Sequence, residues 1–270
     1  MKVLPNESNM LFIRPKNCRY CGNGFYALGH AKNYAQSKGF SVIDIAEKNA
    51  NKEPVYNAIT QYDPASVYGF GHGLDCRYTG DSEEDIYNCY ECSNLNGRIV
   101  YLLSCLTANG LGLEIIRNGA VAYAGFNISW TWIAQGETDT DPYTDKYAKC
   151  FYESANALWV SLCDGDDFHT AVQRSIDKYN EWIDYWFNVA PQDPYSQECI
   201  KWLAFDRDGL VSMDVCDAIT DEQECLNLNC YWYNNMCHSS LPCAEESNIS
   251  IAVPVLAIVG IILVASLISK

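Results

Sequence analysis

The chain has 270 residues, 49% of them hydrophobic, enough to bury one full core and still carry an appendage. Its 18 basic and 34 acidic residues leave a net charge of −16, which repels phosphate backbones, so no nucleic acid partner is expected and cationic partners are favoured. The 14 cysteines point to an oxidising exterior, with disulfides as the expected state.

Residues 10–13 read as a first strand, 31–40 (AKNYAQSKGF) as a short amphipathic helix stopped by Gly39, and 41–45 (SVIDI) as a second strand. A helix fits 51–62, followed by a third strand over 65–73 (ASVYGFGHG) with a glycine-rich end. Ile99 to Leu103 (IVYLL) form an apolar run without alternation, so both faces of this fourth strand are buried, as in the middle of a parallel sheet covered by helices. A helix over 111–119 ends at Gly119, and 120–126 (AVAYAGF) give a fifth strand. Helical spacing recurs over 145–162 and 166–187, and 200–205 (IKWLAF) read as a sixth strand. This alternation predicts a three-layer α/β domain around a mostly parallel six-stranded sheet, spanning 1–212.

The composition changes after that domain. Five cysteines fall between Cys216 and Cys243, in a stretch with little apolar content, so 213–244 read as a small cysteine-rich, disulfide-stapled module. Residues 245–270 read as a juxtamembrane segment and one C-terminal transmembrane helix. The run 251–269 carries no charge and would cover roughly 28 Å as a helix, close to the hydrocarbon thickness of a bilayer. Glu245 and Glu246 before it and Lys270 after it place the C-terminus in the cytoplasm and the main domain outside. The first residues lack the apolar core of a signal peptide, so either the true start lies upstream or export uses the C-terminal segment.

Two residues stand out for chemistry. His72, between two glycines, lies at the carboxyl end of the third strand, and Cys105 just past the end of the fourth. The carboxyl ends of parallel strands open into the ligand crevice, so the pair has the residue types and placement of a Cys/His nucleophilic dyad. A cysteine thiol is only about 3% ionised at neutral pH, and an adjacent imidazole that takes its proton creates the nucleophile. Gly73, lacking a Cβ, lets its N–H approach a developing oxyanion. His30, His169 and His238 read as surface or capping residues.

In these segments the sequence resembles the caspase-like cysteine peptidases, the clan that includes legumain, clostripain and the gingipains, and the gingipains most of all. YGFGHG is similar to their strand ending in His-Gly, YLLSCLTANGLG to their strand ending in Ser-Cys or Ala-Cys, and GAVAYAGFNISWTW (119–132) to the strand that brings a tryptophan to the substrate pocket. WLAFDRDGL, at 202–210, falls where that family often has Gly-Asp-Pro, whose glycine and proline are not matched. The resemblance covers roughly 10–212. It implies a caspase-like fold, a cysteine endopeptidase acting on protein or peptide substrates through an acyl-enzyme, and an oxyanion site completed by the Cys105 N–H. Trp132 is the implied pocket wall, while Trp130 is either a second wall or ordinary core. The family often works as a dyad, and no third carboxylate, metal or other cofactor is expected.

The loop 74–87 carries Asp75, Asp81, Glu83, Glu84 and Asp85 against Arg77, which favours cleavage after Arg or Lys, with Asp75 the candidate specificity carboxylate. The resemblance pulls the same way, since gingipains and clostripain cut after basic residues; caspases cut after Asp using arginines, and Arg77 keeps that alternative open. Cys18/Cys21 and Cys89/Cys92 form two CxxC units like those of zinc knuckles, but their separation favours disulfides. CDGDD (163–167) reads as a loop with helix-capping carboxylates rather than a calcium site. Two rivals to the peptidase are a catalytically inactive ectodomain acting in binding or adhesion, and a zinc-stabilised cytosolic module.

Overall fold

The computed structural model describes residues 8–18, 20–136, 139–214 and 216, and the backbone of a hairpin formed by Tyr231–Tyr233 and Met236–His238. The expected transmembrane run at 251–269 and most of the cysteine-rich module lie outside the described residues. Among the described residues no helix is long and apolar enough to cross a membrane.

The core is a six-stranded sheet. Its strands are β1 (Asn9–Arg14), β2 (Ser41–Ala46), β3 (Ser66–Phe70), β7 (Ile99–Leu103), β8 (Ala122–Phe126) and β9 (Leu210–Asp214). They lie in the order β2-β1-β3-β7-β8-β9, and only the β8–β9 pairing is antiparallel. The central strands β3, β7 and β8 are buried throughout, as their lack of alternation predicts. Side chains alternate between two cores. Phe12, Tyr68, Tyr101 and Phe126 face α1 (Cys21–Ser37), α4 (Ala148–Cys163), α5 (Phe168–Asp184) and α6 (Ser196–Gly209). Leu11, Val67, Leu102 and Tyr123 face α2 (Lys52–Tyr62) and α3 (Leu111–Arg117).

Aromatic packing fastens the helices to β3. Tyr68 stacks on Tyr101 and Trp159 at 4.8 and 4.9 Å, contacts worth about 0.5–1.5 kcal/mol each beyond area burial. Its buried hydroxyl donates to Asn156 Oδ1 at 2.6 Å, and Asn156 Nδ2 donates to the Ala27 carbonyl at 2.9 Å. This joins β3, α4 and α1 without leaving the Tyr68 hydroxyl unsatisfied.

Three expectations are corrected. Residues 200–205 are not a strand but the middle of α6, and the sixth strand is the following β9. The first helix starts at Cys21, ten residues before the expected 31. The third strand ends at Phe70, and the chain then forms an unforeseen antiparallel sheet of β4 (Gly73–Leu74), β5 (Arg77–Thr79) and β6 (Asp85–Asn88), clasped by the Cys76–Cys89 disulfide.

The cysteines also divide differently from the expected general oxidation. Cys18 pairs with Cys21, but Cys89 pairs with Cys76 instead of its CxxC neighbour. Cys92, Cys105, Cys150, Cys163 and Cys199 are free thiols, and all but Cys105 are buried. Within CDGDD, Asp167 caps α5, accepting from the His169 and Thr170 N–H groups.

Candidate active site

Register brings the two chemical residues together. Phe70 of β3 is paired with Leu103 of β7; both strands end there, and His72 and Cys105 each lie two residues further along the chain. Adjacent strands lie about 4.8 Å apart, so both residues leave the sheet at one edge and one level. They line a single cavity of ≈ 160 Å³ with Tyr20, Cys21, Phe70, Gly71, Leu103, Ser104, Trp130 and Trp132.

The turn after Cys105 is forced. Leu106 has φ 62°, in the left-handed region that a branched side chain adopts only at a cost of about 1–3 kcal/mol. Its N–H donates to the Ile128 carbonyl at 2.9 Å, tying this turn to the loop that follows β8. Gly73 presses on the same turn, where a Cβ would strike Ser104 Oγ and the Cys105 carbonyl and lie 2.7 Å from Thr107 Cγ2. The His72–Gly73 loop and the Ser104–Cys105 loop are therefore in direct backbone contact.

The tryptophans form one wall. Their rings stack at 5.5 Å; Trp130 Nε1 donates to the Tyr179 hydroxyl at 3.1 Å, and Trp132 Nε1 donates to Asn23 Oδ1 at 3.2 Å. Trp130 is 5% exposed and Trp132 half-buried, so Trp130 belongs to the core while still lining the cavity.

Burial pushes the Cys105 thiol above its ordinary pKa, and the Asp206 carboxyl acts in the same direction. The thiol lies 3.7 Å from the Trp130 carbonyl, to which it donates a weak hydrogen bond. Asp206 is itself fully buried, and burial drives its carboxyl well above the usual carboxylate range. Its Oδ1 accepts from the Thr131 N–H at 3.1 Å, between the two tryptophans, while its Oδ2 has no hydrogen-bond partner among the described residues.

Asp75 is placed elsewhere. It is exposed, accepts from Asn109 Nδ2 at 3.0 Å, and is not part of the cavity lining. The structure thus groups His72, Gly73, Cys105, Trp130 and Trp132 and leaves Asp75 out. Sequence reasoning missed Tyr20 and Cys21, whose signal was that β1 also ends at this edge. It also missed Asp206, hidden inside a helix read as a strand.

No protein-family model matches the sequence, and no curated protein is significantly similar to it. Among solved structures, the crystal structure of the Arg specific cysteine proteinase gingipain R matches with TM-score 0.50 and 12% identity, over 76% of this chain and 46% of that one. The chain has the gingipain-like caspase fold. A complex of RgpB pro- and mature domains from Porphyromonas gingivalis gives TM-score 0.47 and 10% identity, over 76% and 47% of the two chains. The chain therefore spans about half the length of these gingipain structures.

Proposed function

We propose that the chain is a membrane-anchored cysteine endopeptidase that hydrolyses peptide bonds through a Cys105/His72 dyad and an acyl-enzyme. The observation that carries this reading is the shared cavity of a free, accessible thiol and a histidine two residues beyond paired positions on adjacent strands. Because the thiol is held protonated by burial, His72 acts as a general base: it takes the proton as Sγ attacks the carbonyl carbon, then passes it to the leaving amine. Water enters next, loses a proton to His72, and releases the acid product with the thiol restored. The Gly73 and Cys105 N–H groups are the proposed donors to the oxyanion, which in such sites are worth a few kcal/mol.

Cleavage after Arg or Lys is part of the proposal. The acidic loop 74–87 supports it through its attraction for incoming cations, while neither Asp75 nor the fully buried Asp206 lines the cavity. Arg77, the cation of the rim, is paired with Asp85 at 2.7 Å. In this reading the peptidase domain lies outside the cell, anchored by the uncharged run 251–269.

The test is kcat/KM on matched peptides with Arg, Lys, Asn or Asp on the amino side of the scissile bond. Cys105→Ala should reduce turnover below about a thousandth of wild type, and His72→Ala should slow labelling of Cys105 by a thiol-directed electrophile. Turnover that survives Cys105→Ala refutes the dyad. Faster cleavage after Asp or Asn refutes the basic specificity alone.

A further inference from the structure

The cavity has a second pair of sulfurs. Cys18 and Cys21 close a disulfide at the start of α1, Cys21 lines the cavity beside Cys105, and both sulfurs and a His72 ring nitrogen lie within 4.8 Å of one another. Among the described residues this is the sole cluster of three or more His, Cys, Asp or Glu side chains with such spacing. We propose that this cluster is a redox-gated zinc site: oxidised, it leaves His72 to the nucleophile, and reduced, it binds Zn²⁺ through Cys18, Cys21 and His72.

The chemistry fits the donor set. A tetrahedral zinc ion with Zn–S near 2.3 Å and Zn–N near 2.0–2.1 Å separates its ligand atoms by roughly 3.5–3.8 Å, so the three side chains need only small adjustments. Two thiolates, one imidazole and a water make a recognised zinc set, borderline-soft enough to exclude magnesium and calcium. Cys21 is the first residue of a 17-residue helix, whose N-terminal dipole favours the thiolate. The cavity provides the entry path, because it reaches both Cys21 and His72.

The electrons balance with a dithiol reductant. Its two thiols supply two electrons and two protons, the Cys18–Cys21 bond breaks to two thiols, and the reductant closes to its own disulfide. Zinc then displaces both thiol protons to solvent and takes the lone pair of one His72 nitrogen. With that nitrogen on the metal, His72 no longer accepts the Cys105 proton, so the reduced, zinc-loaded protein is silent. Only this inhibitory consequence rests on the peptidase reading; the metal site itself does not.

The experiment uses the full chain, oxidised or reduced with dithiothreitol and desalted anaerobically, and offers Zn²⁺ or Co²⁺. Metal analysis should find about one zinc per reduced chain and none retained by the oxidised chain, and Co²⁺ should give the near-ultraviolet thiolate charge-transfer band. Cys18→Ser and Cys21→Ser should abolish retention, and His72→Ala should weaken it at least about tenfold. A Cys76→Ser/Cys89→Ser variant, lacking the other described disulfide, should retain zinc normally. Zinc added to the reduced wild type should lower kcat/KM at least about tenfold, with recovery on chelation. The proposal is overturned if reduction adds no zinc, if the cobalt complex shows no thiolate band, or if His72→Ala binds zinc as tightly as wild type. Metal binding as described in a chain without turnover in any redox state supports the site and refutes the peptidase reading.

Discussion

Replacing Gly73 with alanine tests whether contact between the two loops sets the catalytic geometry. The new Cβ would lie 2.7 Å from Thr107 Cγ2, about 0.7 Å inside ordinary contact at 3.4 Å, and closer still to Ser104 Oγ and the Cys105 carbonyl. Because one of those atoms is main chain, a rotamer change cannot relieve the clash, and the loops must part by about 1 Å. A displacement of that size at reacting groups costs about a hundredfold in rate. Overpacking of a well-filled site costs about 1–3 kcal/mol, and at about 2–4 °C per kcal/mol the melting temperature falls by roughly 2–12 °C. The expected result is therefore a folded protein with a thermal deficit of that size and kcat/KM down about a hundredfold. Gly136→Ala is the control, since no described residue lies within 4 Å of its added Cβ. Both variants are measured on a fluorogenic peptide and by circular-dichroism melting. Gly73→Ala activity within threefold of wild type would refute the reasoning that this contact holds the dyad in register.

The raised pKa of Cys105 predicts that its rate of alkylation by iodoacetamide climbs about tenfold per pH unit through neutrality and still rises above pH 9; a plateau already present at pH 6 would show a preformed thiolate–imidazolium pair instead. For Asp206 the folded pKa lies above the unfolded value near 3.9, so its contribution to stability is present in acid and lost as pH rises through the folded pKa. Asp206→Asn keeps the bond from Thr131 and removes that loss, so its melting temperature should exceed wild type at pH 7–8 but not near pH 3.5. Equal melting curves at both pH values would contradict the buried, protonated carboxyl.

The sequence was most readable where burial is two-sided. IVYLL and AVAYAGF show their strands directly, because no residue in them has to meet water. It misled where helical burial uses small or polar residues. The inner face of α6 is Ser196, Cys199, Leu203, Asp206 and Gly209, a helical spacing disguised by a serine, an aspartate and a glycine, while IKWLAF reads as an apolar strand. The start of α1 was hidden similarly by Gly22 and Gly24, yet Gly24 is there because a Cβ would run into the Phe70 ring. β4 to β6 are short and partly polar, with no hydrophobic period to detect. That His72 and Cys105 share one sheet edge was legible because each follows closely on an apolar strand. For Asp75 closeness in sequence did not give direction: its carboxylate accepts from Asn109.

The Phe70–Leu103 pairing has a consequence for how such a protein can change over time. The separation of His72 and Cys105 depends on a count of two residues past a ladder position on each strand, and not on the length of chain between them. The stretch that wanders through β4, β5 and β6 can lengthen, shorten or be exchanged at its distal end without altering that count. A single-residue deletion at Gly71 or Ser104 would break it at once. Mutational tolerance should therefore divide sharply along the chain, with insertions accepted between residues 81 and 84 and refused in the two residues that follow each strand.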